Sequence, residues 1–148
     1  IGNRVAEYPF IFEKILESGH RVGNHTYQHL NAWKTSQSNY RNDVQRAAAL
    51  IKSNLFRPPY GRLPWSYAKA ILNVMPADAQ IVMWDVLSCD FDTQLDATTC
   101  FEFCTQTIRP GSIIVLHDSQ KACDRLSGLL PLLLEFGTKN GYTFKSLP

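Results

Sequence analysis

A chain of 148 residues, 45% of them hydrophobic, is long enough to bury one core and needs neither a repeat architecture nor several domains. Its formal net charge of +2 comes from 15 basic and 13 acidic residues spread along the chain. This leaves no basic stripe to follow a phosphate backbone and excludes nucleic acid as a partner. The most apolar runs, SIIVLH and LLPLLLEF, fall well short of the roughly 20 residues of a membrane span, so no span is expected.

YPFIFEKILESG is predicted as a helix with Ile11, Phe12, Ile15 and Leu16 on one face, Pro9 in its first turn and Gly19 as its C-terminal cap. HRVGN follows as a short strand beginning at His20. After a polar stretch through Ser36, NDVQRAAALIKS spaces Val44, Ala47, Ala48 and Ile51 as an amphipathic helix does. LFRPPYG reads as a strand stopped by two prolines, the segment from Pro64 to Val74 as a helix, and QIVMWD as a buried strand. Ala97 to Ile108 is predicted helical, SIIVLH a second buried strand, Ser119 to Thr138 a helix and YTFKS a closing strand. Cys89, Cys100, Cys104 and Cys123 show no paired spacing, and they read as small buried hydrophobes rather than a disulfide framework.

This alternation implies parallel strands joined by crossover helices, an arrangement that gathers active groups at the carboxyl ends of the strands. Four strand ends then deliver special residues to one rim. They carry His25 and His29, then Arg57 to Gly61, then Asp85 to Asp92, and finally His117 with Asp118. About five strands are too few for a closed barrel, so either the sheet is open or part of it precedes Ile1. The strand at His20 would then present an edge for association.

Within GNHTYQH, His25 and His29 are four residues apart, a spacing that on a helical turn lets two imidazoles converge on one metal ion. Alone, the pair reads more readily as polar residues on an exposed turn. Arg57 could simply pair with an acid, and Pro58 and Pro59 could simply end a strand. His117 could be a buried, hydrogen-bonded histidine, and Asp118 suits the N-cap of the next helix. Asp85 and Asp92 read as structural loop acids.

Taken together, HTYQH, RPPYG, CDFD and IVLHD, in this order and at these separations, resemble the polysaccharide deacetylases of the NodB-homology type, carbohydrate esterase family 4. The resemblance extends over essentially the whole chain and implies an α/β fold, the distorted (β/α) barrel of that family, as one domain over residues 1–148. The family's first motif, T-F-D-D-G-P, is not in this sequence. The expectation is therefore a barrel incomplete at the N-terminus, with the first strand and helix, and the aspartates that serve as base and third metal ligand, lying before Ile1.

The resemblance implies a metal-dependent hydrolase that removes N-acetyl groups from chitin-like or peptidoglycan polysaccharide, impaired in a form lacking those aspartates. His25 and His29 would be ligands of a divalent ion, most often Zn2+, with Co2+ or Ni2+ as substitutes, and the Thr26 hydroxyl would help hold the loop. Arg57 would orient the catalytic aspartate and the Tyr60 backbone N–H would donate to the oxyanion. His117 would be the general acid, held by Asp90. Phe91 stands where the family usually has Trp. Trp33, Tyr40, Trp65 and Trp84 could stack on sugar rings, but aromatic residues in such a domain are usually core, and none is assigned to substrate. Other readings are a carbohydrate-binding protein without catalysis and a same-fold hydrolase of small cyclic amides. Family resemblance favours the cell envelope or a secreted location.

Overall fold

The computed structural model describes residues 1–147, which divide into two compact units: residues 1–83 with residues 146–147, and residues 84–145. No helix of the described residues is long and apolar enough to cross a membrane.

The first unit opens with helices α1 (Gly2–Glu7) and α2 (Pro9–Glu17), followed by α3 (Gln37–Leu50), strand β1 (Leu55–Phe56), a 3-10 turn at Pro59–Gly61, α4 (Trp65–Leu72) and β2 (Gln80–Ile81). Helix α1 was not foreseen. Gly19 caps α2 from the left-handed region at φ +77°, which glycine adopts without steric cost. The expected apolar face of α2 is largely open: Ile11, Ile15 and Leu16 are exposed and Phe12 is half-buried. Helix α3 starts earlier than its apolar spacing suggests, because the Ser36 hydroxyl caps the Asn39 N–H. It buries Tyr40, Val44 and Ala47, and with Ala32, Phe56, Ile71 and Met75 the first two build the core of this unit.

β1 and β2 pair in parallel, Leu55 opposite Gln80 and Phe56 opposite Ile81. The strand expected over HRVGN is reduced to a single parallel bridge from Asn24 to Phe56. Before it, the Val22 carbonyl is taken by the Ser53 hydroxyl at 2.6 Å, and the Arg21 guanidinium bonds Asn54 and the Leu147 carbonyl. Side chains thus replace the ladder there.

The second unit contains β3 (Val86–Leu87), α5 (Ala97–Thr105), β4 (Ile114–Val115) and α6 (Cys123–Lys139). β3 and β4 are parallel, with Val86 opposite Ile114 and Leu87 opposite Val115. The run QIVMWD is therefore not one strand: its first residues pair with β1, and the chain pairs again only from Val86. Asp96 caps α5 by accepting the Thr99 N–H at 2.7 Å. Val86, Cys100, Cys104, Leu129 and Leu133 form the core. α5 and α6 approach so closely that a Cβ on Gly128 would come within 2.8 Å of the Ala97 Cβ.

Cys100 and Cys104 are buried and burial pushes the Cys104 thiol up to about 11, whereas Cys89 is half-buried and Cys123 is exposed. Asp118 does not cap α6, which begins later. A turn comes first, closed by the Ser119 hydroxyl on the Ala122 N–H. The expected closing strand YTFKS forms no strand either: Phe144 lies against bare Gly137 and Tyr142 stacks on Phe136, so aromatic packing on α6 takes the place of a ladder.

Candidate active site

The histidine pair sits in a loop, not on a helical turn. Thr26 and His29 both have left-handed backbones, φ +64° and +56°, which no helix tolerates. Four bonds hold this conformation. The Asn24 carboxamide accepts the Thr26 N–H at 2.9 Å and donates to the Val44 carbonyl at 2.9 Å, while the buried Asp43 carboxylate accepts the N–H groups of Tyr27 and Gln28 at 2.8 and 2.9 Å. Helix α3 thus sets the path of the loop. Thr26 also accepts the Gly2 N–H through its carbonyl at 2.9 Å, but its buried hydroxyl makes no hydrogen bond in the structure. The residue holds the loop by its backbone rather than by its side chain.

The two imidazoles meet edge to face with ring centroids 5.0 Å apart. His25 Nδ1 lies 2.6 Å from the Arg57 carbonyl oxygen, which can only accept, so Nδ1 carries the proton and the Nε2 lone pair is left for another partner. Burial pushes the His25 pKa down to about 4, against the opposing pull of the Arg57 carbonyl and with help from His29 and the Arg57 charge. His25 is therefore a neutral imidazole, the form that ligates metals.

This makes a pH signature. Unfolded, the ring titrates near 6.5, and folded, near 4, so below 6.5 the unfolded chain binds more protons and stability falls as pH drops. Urea unfolding of the metal-free protein should show stability lower by about 2 kcal/mol at pH 5 than at pH 7.5 from this group alone, a difference missing in His25→Gln. Equal slopes in the two proteins would contradict it.

Removing Asp43 should also be costly. Asp43→Ala would leave two loop N–H groups without their carboxylate, at about 1.5–3 kcal/mol for a hydrogen bond to a charged group. The expected result is a clear drop in Tm together with metal affinity weakened by about 10–100-fold, the range for lost support behind a ligand. Unchanged metal affinity in a folded Asp43→Ala protein would show that the loop does not need this anchor.

Arg57 and Tyr60 lie beside the pair. The Arg57 N–H donates to the Asn24 carbonyl at 3.0 Å and its Nε to the Val82 carbonyl at 3.2 Å, and partial burial lowers the guanidinium pKa. Tyr60 adopts φ +60° within the Pro58–Gly61 turn, closed by Gly61 N–H on the Pro58 carbonyl at 3.1 Å, and its ring lies 4.8 Å from that of His29, edge to face. His25, His29, Arg57 and Tyr60 thus form one group.

Asp90 and His117 form a second. Asp90 is fully buried. One carboxylate oxygen accepts His117 Nδ1–H at 2.6 Å and the Ser88 hydroxyl at 2.9 Å, and the other accepts the His117 backbone N–H at 2.6 Å. This fixes the His117 tautomer and turns Nε2 away from the carboxylate. Phe91 meets the His117 ring edge to face at 5.2 Å. Arg125 donates through Nε to the Asp90 carbonyl at 2.7 Å and also reaches the Lys121 carbonyl, tying the loop to α6.

Ser88, Arg125, Asp43 and Asn24 were not anticipated as supports. Only the Asn immediately before His25 offered a local signal, as a residue that often bonds the backbone two positions on. Asp85 and Asp92 are structural: Asp85 accepts the Ile113 N–H at 2.7 Å, and Asp92 the Gln94 N–H at 3.0 Å.

The residues fit a divalent ion in part. With a zinc–nitrogen bond of about 2 Å, each ring centroid stands about 3.2 Å from the ion, so two imidazoles in tetrahedral positions have centroids about 5 Å apart. The observed 5.0 Å agrees. Among the described residues no third histidine, cysteine or carboxylate completes the set.

The family model described as polysaccharide deacetylase matches residues 1–77. The peptidoglycan-N-acetylglucosamine deacetylase of Bacillus cereus is 27% identical, aligned over 100% of this chain and 55% of its own length. The chitooligosaccharide deacetylase of Azorhizobium caulinodans is 30% identical over 80% of this chain and 58% of its own length. The chain thus spans little more than half the length of these relatives. Among solved structures, the Xyl-CE4 domain of a multidomain xylanase from the hindgut metagenome of Trinervitermes trinervoides superposes with a TM-score of 0.84 at 23% identity, over 99% of this chain and 71% of that one. The fold is accordingly the distorted (β/α) barrel of the NodB type, represented here in part, and the chain belongs to the polysaccharide deacetylase family.

Proposed function

We propose that the protein bearing this chain is a metal-dependent N-deacetylase of N-acetylglucosamine-containing polysaccharide. The observation that carries the reading is the neutral His25, its Nδ1–H held by the Arg57 carbonyl and its ring 5.0 Å from that of His29. The named activities of the Bacillus and Azorhizobium relatives support the substrate class.

His25 and His29 would hold the ion, most simply Zn2+, with an oxygen donor from outside the described residues. When bound, the ion polarises the acetyl carbonyl and lowers the pKa of water. The chain supplies the rest. The Tyr60 backbone, fixed by its turn, offers an N–H where negative charge develops, and one such donor contributes about 3–4 kcal/mol to lowering the barrier. His117, its Nδ1–H held by Asp90, would be the proton donor to the departing amine, as the family resemblance implies. Arg57, its Nε on the Val82 carbonyl, would orient a carboxylate base as the family resemblance implies.

Acetate release from N-acetylglucosamine oligomers tests the reading: it should be abolished by a chelator and restored by Zn2+. Release that ignores the chelator would reject metal dependence. Binding of oligomers without any release would favour a non-catalytic carbohydrate-binding protein.

A further inference from the structure

Trp65 is 94% exposed and Trp33 66% exposed, although indoles are among the side chains that gain most from burial. Tyr40, by contrast, is fully buried and Trp84 half-buried, as aromatic residues of such a domain usually are. The two open indoles do not hang from slack loops. The Gln37 side-chain amide donates to the Ser66 carbonyl at 2.6 Å, and the Tyr67 hydroxyl donates to the Thr35 carbonyl at 3.0 Å, so the segments bearing Trp33 and Trp65 are tied together. The Arg62 guanidinium lies over the Trp33 ring at 5.0 Å and the Asn31 side chain accepts the Trp33 backbone N–H at 3.0 Å. These are also the segments that carry the candidate site: Trp33 follows His29 by four residues, and Trp65 follows Tyr60, itself exposed and in contact with the His29 ring, by five.

We infer that Trp33, Arg62 and Trp65 form a platform for sugar units of a β-linked N-acetylglucosamine chain beyond the unit being deacetylated. The inference rests on the proposed function and names how that site prefers long substrates. The ring face of a β-linked pyranose is a flat array of C–H groups, which matches an indole in shape and polarity, and its equatorial hydroxyls and acetamide offer acceptors to a guanidinium. A protein partner would be expected to meet a larger apolar surface around the indoles. Here the apolar neighbours turn inward, Ala32 being buried and Leu30 and Leu63 packing on the core, while Asn31, Lys34, Ser36 and Arg62 are polar.

The test compares the protein with its Trp33→Ala/Trp65→Ala variant by calorimetry and acetate release, using N-acetylglucosamine oligomers of two and six units. The expected result is six-unit binding at least ten-fold tighter than two-unit binding in the parent. In the variant this preference should be lost, with two-unit binding and the circular dichroism spectrum unchanged. Parent and variant with equal six-unit affinity would overturn the platform while leaving the deacetylase reading intact. Tryptophan-dependent six-unit binding without acetate release would sustain the platform and defeat the deacetylase reading. No six-unit binding by the parent would defeat the platform.

Discussion

Replacing His25 by alanine is expected to reduce Zn2+ affinity by well over 100-fold and to abolish acetate release, while the protein stays folded. A lost supporting bond behind a metal ligand typically costs about 10–100-fold in affinity, and a lost ligand costs more. His25 is the side chain whose proton, lone pair and charge state are all set by its surroundings: the Arg57 carbonyl holds Nδ1–H, and burial keeps the ring neutral. His29→Ala should behave alike, because in the proposed site the two imidazoles, with centroids 5.0 Å apart, share one ion. Calorimetric titration with Zn2+ checks this, with acetate release as a parallel readout. If His25→Ala kept parent affinity for the metal, the pair would be only a polar loop.

His117→Ala should leave metal binding untouched and slow acetate release by about 10²–10⁴-fold, the usual contribution of a positioned proton donor. Asp90→Asn should lose a similar factor for a different reason. The asparagine oxygen can serve only one side of the buried cluster, either His117 Nδ1–H together with the Ser88 hydroxyl or the His117 backbone N–H, and its NH2 group then faces the other side. In either orientation the imidazole loses its charge partner. Because both residues act as one unit, the double variant should be scarcely slower than either single one. Additive losses would mean that Asp90 and His117 act separately. Asp90→Ala would be the wrong variant, since it leaves buried donors without a partner and costs folding stability as well.

Much of this arrangement is legible from residue types and their order. The candidate positions His25, His29, Arg57, Tyr60, Asp90 and His117 come from four short motifs, and the helix around Val44 comes from apolar spacing. What the sequence hides has physical causes. Two left-handed residues, Thr26 and His29, bring the histidines together in a loop, and four-residue spacing cannot distinguish that from a helical turn. The supports Asp43 and Arg125 act from elements distant in sequence, so no local pattern announces them. HRVGN and YTFKS have strand-like composition, yet strands are made by partners, and the Ser53 hydroxyl and Gly137 take those places. The exposure of Trp33 and Trp65 runs against the general tendency of aromatic residues to be buried.

In the proposed site the neutral imidazoles of His25 and His29 jointly ligate one divalent ion. X-ray absorption on the zinc-loaded protein tests it most directly. The expected spectrum has nitrogen and oxygen neighbours at about 2.0–2.1 Å with outer-shell scattering from two imidazole rings, falling to one ring in His29→Ala. Sulfur at about 2.3 Å, or zinc bound without imidazole scattering, would contradict it.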